Sequence, residues 1–156
     1  EVPDLEEIAP IEPHTWEVVR EGSDCAILAV GSMVLPALEA ASLLEKEGVK
    51  TTIVNCRFLK PYDRSIFNQV MSSHPKVLTV EEGQVVNGFG AFMAKELNGL
   101  NLTDPPQMSA MGMPDSFIEH GARKSLLADI GLDSEGIIER VRTLLSVKSP
   151  SLMETA

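Results

Sequence analysis

At 156 residues with 44% hydrophobic content, the chain has the size and apolar supply of one globular domain with its own core. Thirteen Lys and Arg stand against 23 Asp and Glu, and a formal charge of −10 repels phosphate backbones and anionic lipid, which argues against nucleic acid and membrane as partners. No apolar run approaches the ~20 residues of a membrane span and no basic-then-apolar leader opens the chain, so a cytoplasmic location is expected.

Residues 1–15 read as an acidic linker from a preceding domain: Glu1, Asp4, Glu6, Glu7 and Glu12 lie among prolines, with no basic residue. Strand patterns follow at 16–20, 25–30, 51–56, 77–80 and 107–111. Helical patterns are expected at 34–47, 63–72, 88–97, 122–129 and 134–145, with residues 148–156 as a disordered tail. The alternation within 16–147 predicts an α/β fold, a mostly parallel but mixed sheet covered by helices. CAILAV reads as a central strand buried on both faces. The first strand reaches it through only EGSD, too short for a crossover, so it should run antiparallel. Asp63 and Asp133 are placed to cap the second and last helices, and Gly48 to end the first. Cys25 and Cys56 lie in apolar strands without metal-ligand spacing, and are expected to be buried free thiols.

Four stretches bear on function. The turn AVGSMV puts Gly31 and Ser32 before a helix, but lacks the further glycines or the lysine of a phosphate site, so Ser32 is read as a cap. In EEGQVVNGFG, Asn87, Gly88 and Gly90 suit positive φ or close backbone approach. Glu81 and Glu82 are adjacent strand residues and should face opposite sides, one toward a cleft and one in a structural hydrogen bond or ion pair. GMPDSFIEHG carries Asp115, Phe117, Glu119 and His120 in one loop, with His120 read as bracing it. Arg123, with Lys124 beside it, opens a helix where cations oppose the dipole, which points to a carboxylate or phosphate partner or to a solvated pair. His14 and His74, beside prolines, read as surface residues. The Glu81–Gly90 and Asp115–Arg123 stretches both follow parallel strands and are expected to meet on one edge of the sheet as a contact surface.

AILAVGSMVLPALEAASLLEKEGV, TTIVNCRFLKPYD, VEEGQVVNGFGAFM and GMPDSFIEHGARKSLLADIGLDSEGI, read in order over residues 16–146, resemble the C-terminal domain of the transketolase family. Arg57, Phe58, Lys60, Pro61 and Asp63 match one of its turns. The glutamate-glycine and Pro-Asp-Ser-Phe stretches look most like the 1-deoxy-D-xylulose-5-phosphate synthase branch. The resemblance implies a three-layer αβα domain with a five-stranded mixed sheet, the last of three in a cytoplasmic homodimer using thiamine diphosphate and magnesium. Such an enzyme condenses pyruvate with glyceraldehyde 3-phosphate, toward isoprenoid (terpenoid) precursors. No Gly-Asp pair occurs here, so the family's cofactor motif is missing. The resemblance thus implies no catalytic, cofactor or metal residue in this chain, only interface or active-site-edge candidates: Glu81, Glu82, Asn87, Gly88, Gly90, Asp115, Phe117, His120 and Arg123. A transketolase C-terminal subunit or domain, or a 2-oxo acid dehydrogenase β-subunit domain that docks a carrier subunit, is the alternative.

Overall fold

A computed structural model describes residues 10–146. Most of the acidic linker and the whole proposed tail lie outside the described residues. Five strands, β1 (Glu17–Arg20), β2 (Cys25–Ala29), β3 (Thr51–Asn55), β4 (Lys76–Gln84) and β5 (Gln107–Met113), form one sheet in the order β1-β3-β2-β4-β5. β1 pairs antiparallel with β3 and the other pairings are parallel. The helices are α1 (Val34–Lys46), α2 (Arg64–Ser73), α3 (Phe89–Asn98), α4 (Arg123–Asp129) and α5 (Ser134–Ser146).

The period-2 alternation of β2 builds both faces of the sheet. Cys25, Ile27 and Ala29 pack with Ala37, Leu44, Ile137 and Val141 of α1 and α5, while Ala26 and Leu28 pack with Phe67, Val70 and Met93 of α2 and α3. Three layers result, with helices on both faces of a mixed sheet. The expected caps are present: Asp63 accepts from the Ser65 and Ile66 amides at 3.0 Å, and Asp133 from the Gly136 amide at 2.8 Å. Gly48 takes φ +85° just past α1, where the Gly48 and Val49 amides return to the Glu45 and Leu44 carbonyls.

Two expected elements differ. β4 runs to Gln84 and β5 to Met113, because their parallel pairing resumes at Gln84 and Met113 after a register shift beyond Val80. Glu81 and Glu82, read from the sequence as adjacent strand residues beyond the 77–80 pattern, lie within β4. Ser32 does not cap α1; it lies in a short 3-10 turn (Gly31–Met33), and its hydroxyl points elsewhere.

Both thiols are free and buried. Burial, with the Asp24 carboxylate second, pushes Cys25 up to about 12, and burial pushes Cys56 up as well. Native alkylation at pH 8 is expected to be roughly a thousandfold slower than in urea, since only thiolate reacts. The folded thiols keep protons that unfolded ones lose near pH 9. Stability is therefore unaffected below that pH, and above it falls by about 1.4 kcal/mol per pH unit per thiol. Fast native labelling, or a urea midpoint unchanged between pH 8 and 10, would contradict this placement.

Candidate functional site

Chain order puts the topological switch between β2 and β4, where α1 leaves to one face and α3 to the other. In open α/β sheets the crevice at such carboxyl ends is where ligands sit. In this domain Glu81 and Glu82 tie the elements that follow β2, β4 and β5 to that end of the sheet. Glu81 shares the Thr79 face and turns toward α3, whereas Glu82 turns toward α1 and α4, as the strand period requires.

Glu81 is 7% exposed, and its two carboxylate oxygens accept the Phe89 and Gly90 amides at 2.9 Å each. A carboxylate eight residues upstream thus occupies the N-terminus of α3, where amides are otherwise unpaired and the dipole is positive. The turn between carries Asn87 at φ +60°. Gly88 and Gly90 adopt ordinary φ, and close approach is what they require. A Cβ on Gly88 would stand 2.6 Å from Glu81 Oε1 and also collide with the Gln84 carbonyl oxygen. One on Gly90 would lie 2.5 Å from Thr79 Oγ1 and 2.7 Å from Ala110 Cβ.

Glu82 accepts the Ser32 hydroxyl at 2.5 Å and is held by the Arg123 guanidinium, whose Nε lies 2.8 Å away and whose Nη2 also bonds it. The misplaced cation of α4 has its carboxylate partner here, and the Ser32 bond to the same carboxylate spans the switch point between β2 and β4. Arg123, with the Ser32 hydroxyl second, holds the Glu82 carboxyl below the usual carboxylate range. The pair's contribution is therefore present above the ordinary Glu value and lost as pH falls through the lowered one. Arg123→Ala is expected to speed amide exchange in α4 while leaving the urea midpoint of the domain nearly unchanged, because the guanidinium is exposed and its pairing is screened by solvent. A clear drop in that midpoint, or unchanged exchange, would overturn that reading.

The remaining candidates divide. Asp115, Phe117, Glu119 and His120 are exposed in the loop between β5 and α4. His120 braces nothing: among the described residues it makes no hydrogen bond or ion pair. The two stretches do converge, through Glu82 and Arg123, on the carboxyl edge. His14 is exposed, but His74 is half-buried at the opposite end, its Nε2 2.9 Å from Thr52 Oγ1 and 3.2 Å from the Gly22 carbonyl oxygen. Its Nδ1 stays local, against Ser73 Oγ at 3.0 Å and the Val70 carbonyl oxygen at 3.3 Å, but the Nε2 partners lie 22 and 52 residues away, which local sequence does not reveal.

An apolar rim, of which sequence reading named only Phe117, marks this edge. Each parallel strand is followed by an exposed large side chain: Leu35 (74%) after β2, Leu59 (42%) after β3, Val86 (50%) after β4 and Phe117 (94%) after β5. Nothing in the sequence marks Leu35, Leu59 and Val86 as surface, and only their common position beyond the strand ends groups them with Phe117.

A family model described as the transketolase C-terminal domain matches residues 14–137. The chain belongs to this family. Among curated relatives of this transketolase C-terminal domain, the 1-deoxy-D-xylulose-5-phosphate synthase of a Geobacillus species is 41% identical over 92% of the chain and 22% of its own length. That of Geobacillus thermodenitrificans is 39% identical over 94% and 23%. The chain therefore spans under a quarter of the length of these relatives. A solved structure described as a split-gene transketolase, an inactive β4 tetramer, superposes with a TM-score of 0.82 at 32% identity, covering 96% of this chain and 47% of that one. Pichia stipitis transketolase superposes at 0.63 with 20% identity over 85% of this chain and 18% of its own, a likeness of fold alone.

The family implies thiamine diphosphate and magnesium, and the described side chains do not fit a seat for them. Among the described residues no three of His, Cys, Asp and Glu gather as a metal-binding group. The α3 N-terminus, the natural cradle for a diphosphate at this crevice, already carries the Glu81 carboxylate. No described helix is long and apolar enough to cross a membrane.

Proposed function

We propose that the chain is the C-terminal domain of a thiamine-diphosphate-dependent 1-deoxy-D-xylulose-5-phosphate synthase. There it supplies contacts to the preceding domains and to a dimer partner, and no reacting group. The synthase branch is supported by relatives of that name at 37–41% identity over 92% of the chain. The contact role rests on one observation: the carboxyl edge spends both its inward carboxylates on internal bonds while presenting Leu35, Leu59, Val86 and Phe117 to solvent.

The chain alone is expected to show no micromolar binding of thiamine diphosphate with magnesium by calorimetry and no carbon dioxide release from pyruvate. The intact enzyme should convert pyruvate and glyceraldehyde 3-phosphate to the deoxyketose phosphate. Ketol transfer between sugar phosphates with no pyruvate consumption would reject the synthase branch, and turnover by the isolated chain would reject the supporting role. In the intact enzyme, Phe117→Ala combined with His120→Ala is expected to weaken dimerisation or cofactor retention about tenfold, the effect of losing one aromatic anchor. The same double substitution should leave the urea midpoint of this domain unchanged. Wild-type dimer mass and cofactor affinity in the double variant would show that this loop is solvent-exposed rim.

A further inference from the structure

On the α3 side of the carboxyl edge, an open groove of about 520 Å³ runs between the turn after β3 and helix α3, its lining including Leu59, Lys60, Phe92 and Lys95 and the one carboxylate Glu81. Its floor is apolar and its two ammonium groups are exposed. Lys60 Nζ sits 5.2 Å from the Phe92 ring centroid, and among the described residues neither Lys60 nor Lys95 makes an ion pair. In a chain of charge −10 such a place is unusual, and its cause is visible. The two nearby carboxylates bond to uncharged donors: Glu81 accepts the α3 amides, and Glu96 accepts the Tyr62 hydroxyl at 2.6 Å.

The geometry points to this groove as the seat of a carboxylate-bearing, apolar-anchored segment of the domain that precedes this one in the intact enzyme; the inference rests on reading the chain as the last part of a larger enzyme. Charge complementarity selects the carboxylates, and Leu59 and Phe92 select the apolar anchor. A small anion fits poorly, because two solvent-screened ammonium groups in an open groove hold an isolated ion weakly, whereas a segment adds apolar burial. The path of the chain selects the preceding domain. Polypeptide arriving at Trp16 passes beside the groove, with the His14 ring centroid 5.9 Å from that of Phe58 and the Trp16 indole N–H 2.8 Å from the Phe58 carbonyl oxygen.

Lysine acetylation followed by mass spectrometry, on the 156-residue chain and on the intact enzyme, tests this. Lys60 and Lys95 are expected to react at least tenfold more slowly in the intact enzyme, with Lys46 on the far helix as the unchanged control. Carbodiimide coupling of the intact enzyme should join Lys60 or Lys95 to an aspartate or glutamate of the preceding domain. Equal acetylation rates in the two forms overturn the inference. So do cross-links confined to carboxylates of residues 1–156, in the same or a second copy. Protection and cross-linking in an enzyme that consumes no pyruvate would reject the synthase assignment and leave the docking groove standing.

Discussion

Gly88→Ala is expected to destabilise the domain by about 3 kcal/mol or more, at the upper end of what overpacking costs. Gly88 has ordinary φ and ψ (−79°, −166°), so strain in the backbone is not the reason. An added Cβ would meet the Gln84 carbonyl oxygen, which is main chain of β4 and cannot rotate aside, and both Glu81 carboxylate oxygens, at 2.6 and 2.7 Å. Relief requires moving α3 off the sheet or displacing Glu81 from the helix N-terminus. Gly90→Ala is expected to cost less, about 1–3 kcal/mol, because it meets no main-chain atom as closely and the Thr79 hydroxyl can rotate aside, leaving the Ala110 Cβ as the one fixed contact. Urea denaturation of the three proteins checks both the size and the order, and a wild-type midpoint for Gly88→Ala would show that α3 sits further from β4 than described.

Glu81→Ala is expected to cost about 2–4 kcal/mol. Two amide donors at the start of α3 lose a charged acceptor, and with Glu81 only 7% exposed, water reaches them poorly. Glu81→Gln keeps one acceptor oxygen but sets an amide NH2 against a backbone N–H, so it should recover only part of the loss. Amide exchange read by NMR should show the excess opening at Phe89 and Gly90. In a double-mutant cycle, Glu81→Ala and Gly88→Ala should be non-additive by more than 0.5 kcal/mol, since the alanine methyl at position 88 competes for the space the carboxylate vacates. Additive losses would mean that Glu81 and Gly88 act independently, and Glu81→Ala at wild-type stability would mean the α3 N-terminus finds water instead.

Much of the fold is legible in the chain because its determinants are local. CAILA is uninterrupted apolar sequence, so β2 is central, and the Ile137, Ile138, Val141, Leu144 stripe makes α5 a core helix. The capping bonds of Asp63 and Asp133 and the turn at Gly48 act within four residues, which is why the helix ends they govern are correctly placed, whereas the second Asp63 oxygen accepts the Trp16 amide 47 residues away. The opposite facing of Glu81 and Glu82 also follows from the strand period alone. The carboxyl edge is legible at lower resolution: parallel strands send their following loops to one end, so the Glu81–Gly90 and Asp115–Arg123 stretches must approach each other.

What tertiary structure decided are the partners across that edge. Ser32 serves Glu82, 50 residues away, and caps no helix, because β2 and β4 are neighbours in the sheet although α1, β3 and α2 separate them in the chain. Arg123 finds its carboxylate 41 residues back, His120 finds no hydrogen-bond or ion-pair partner among the described residues, and His74 Nε2 meets Thr52 of β3 and Gly22 of the loop before β2. Sequence by itself determined which residues could accept, donate or fit closely, since those are properties of side chains and of backbone period. Only the packed sheet fixed which of them meet, because strand order brings together atoms that no local spacing relates. The same packing left Leu35, Leu59 and Val86 exposed beside Phe117, a grouping that follows from the strand ends and not from hydrophobicity.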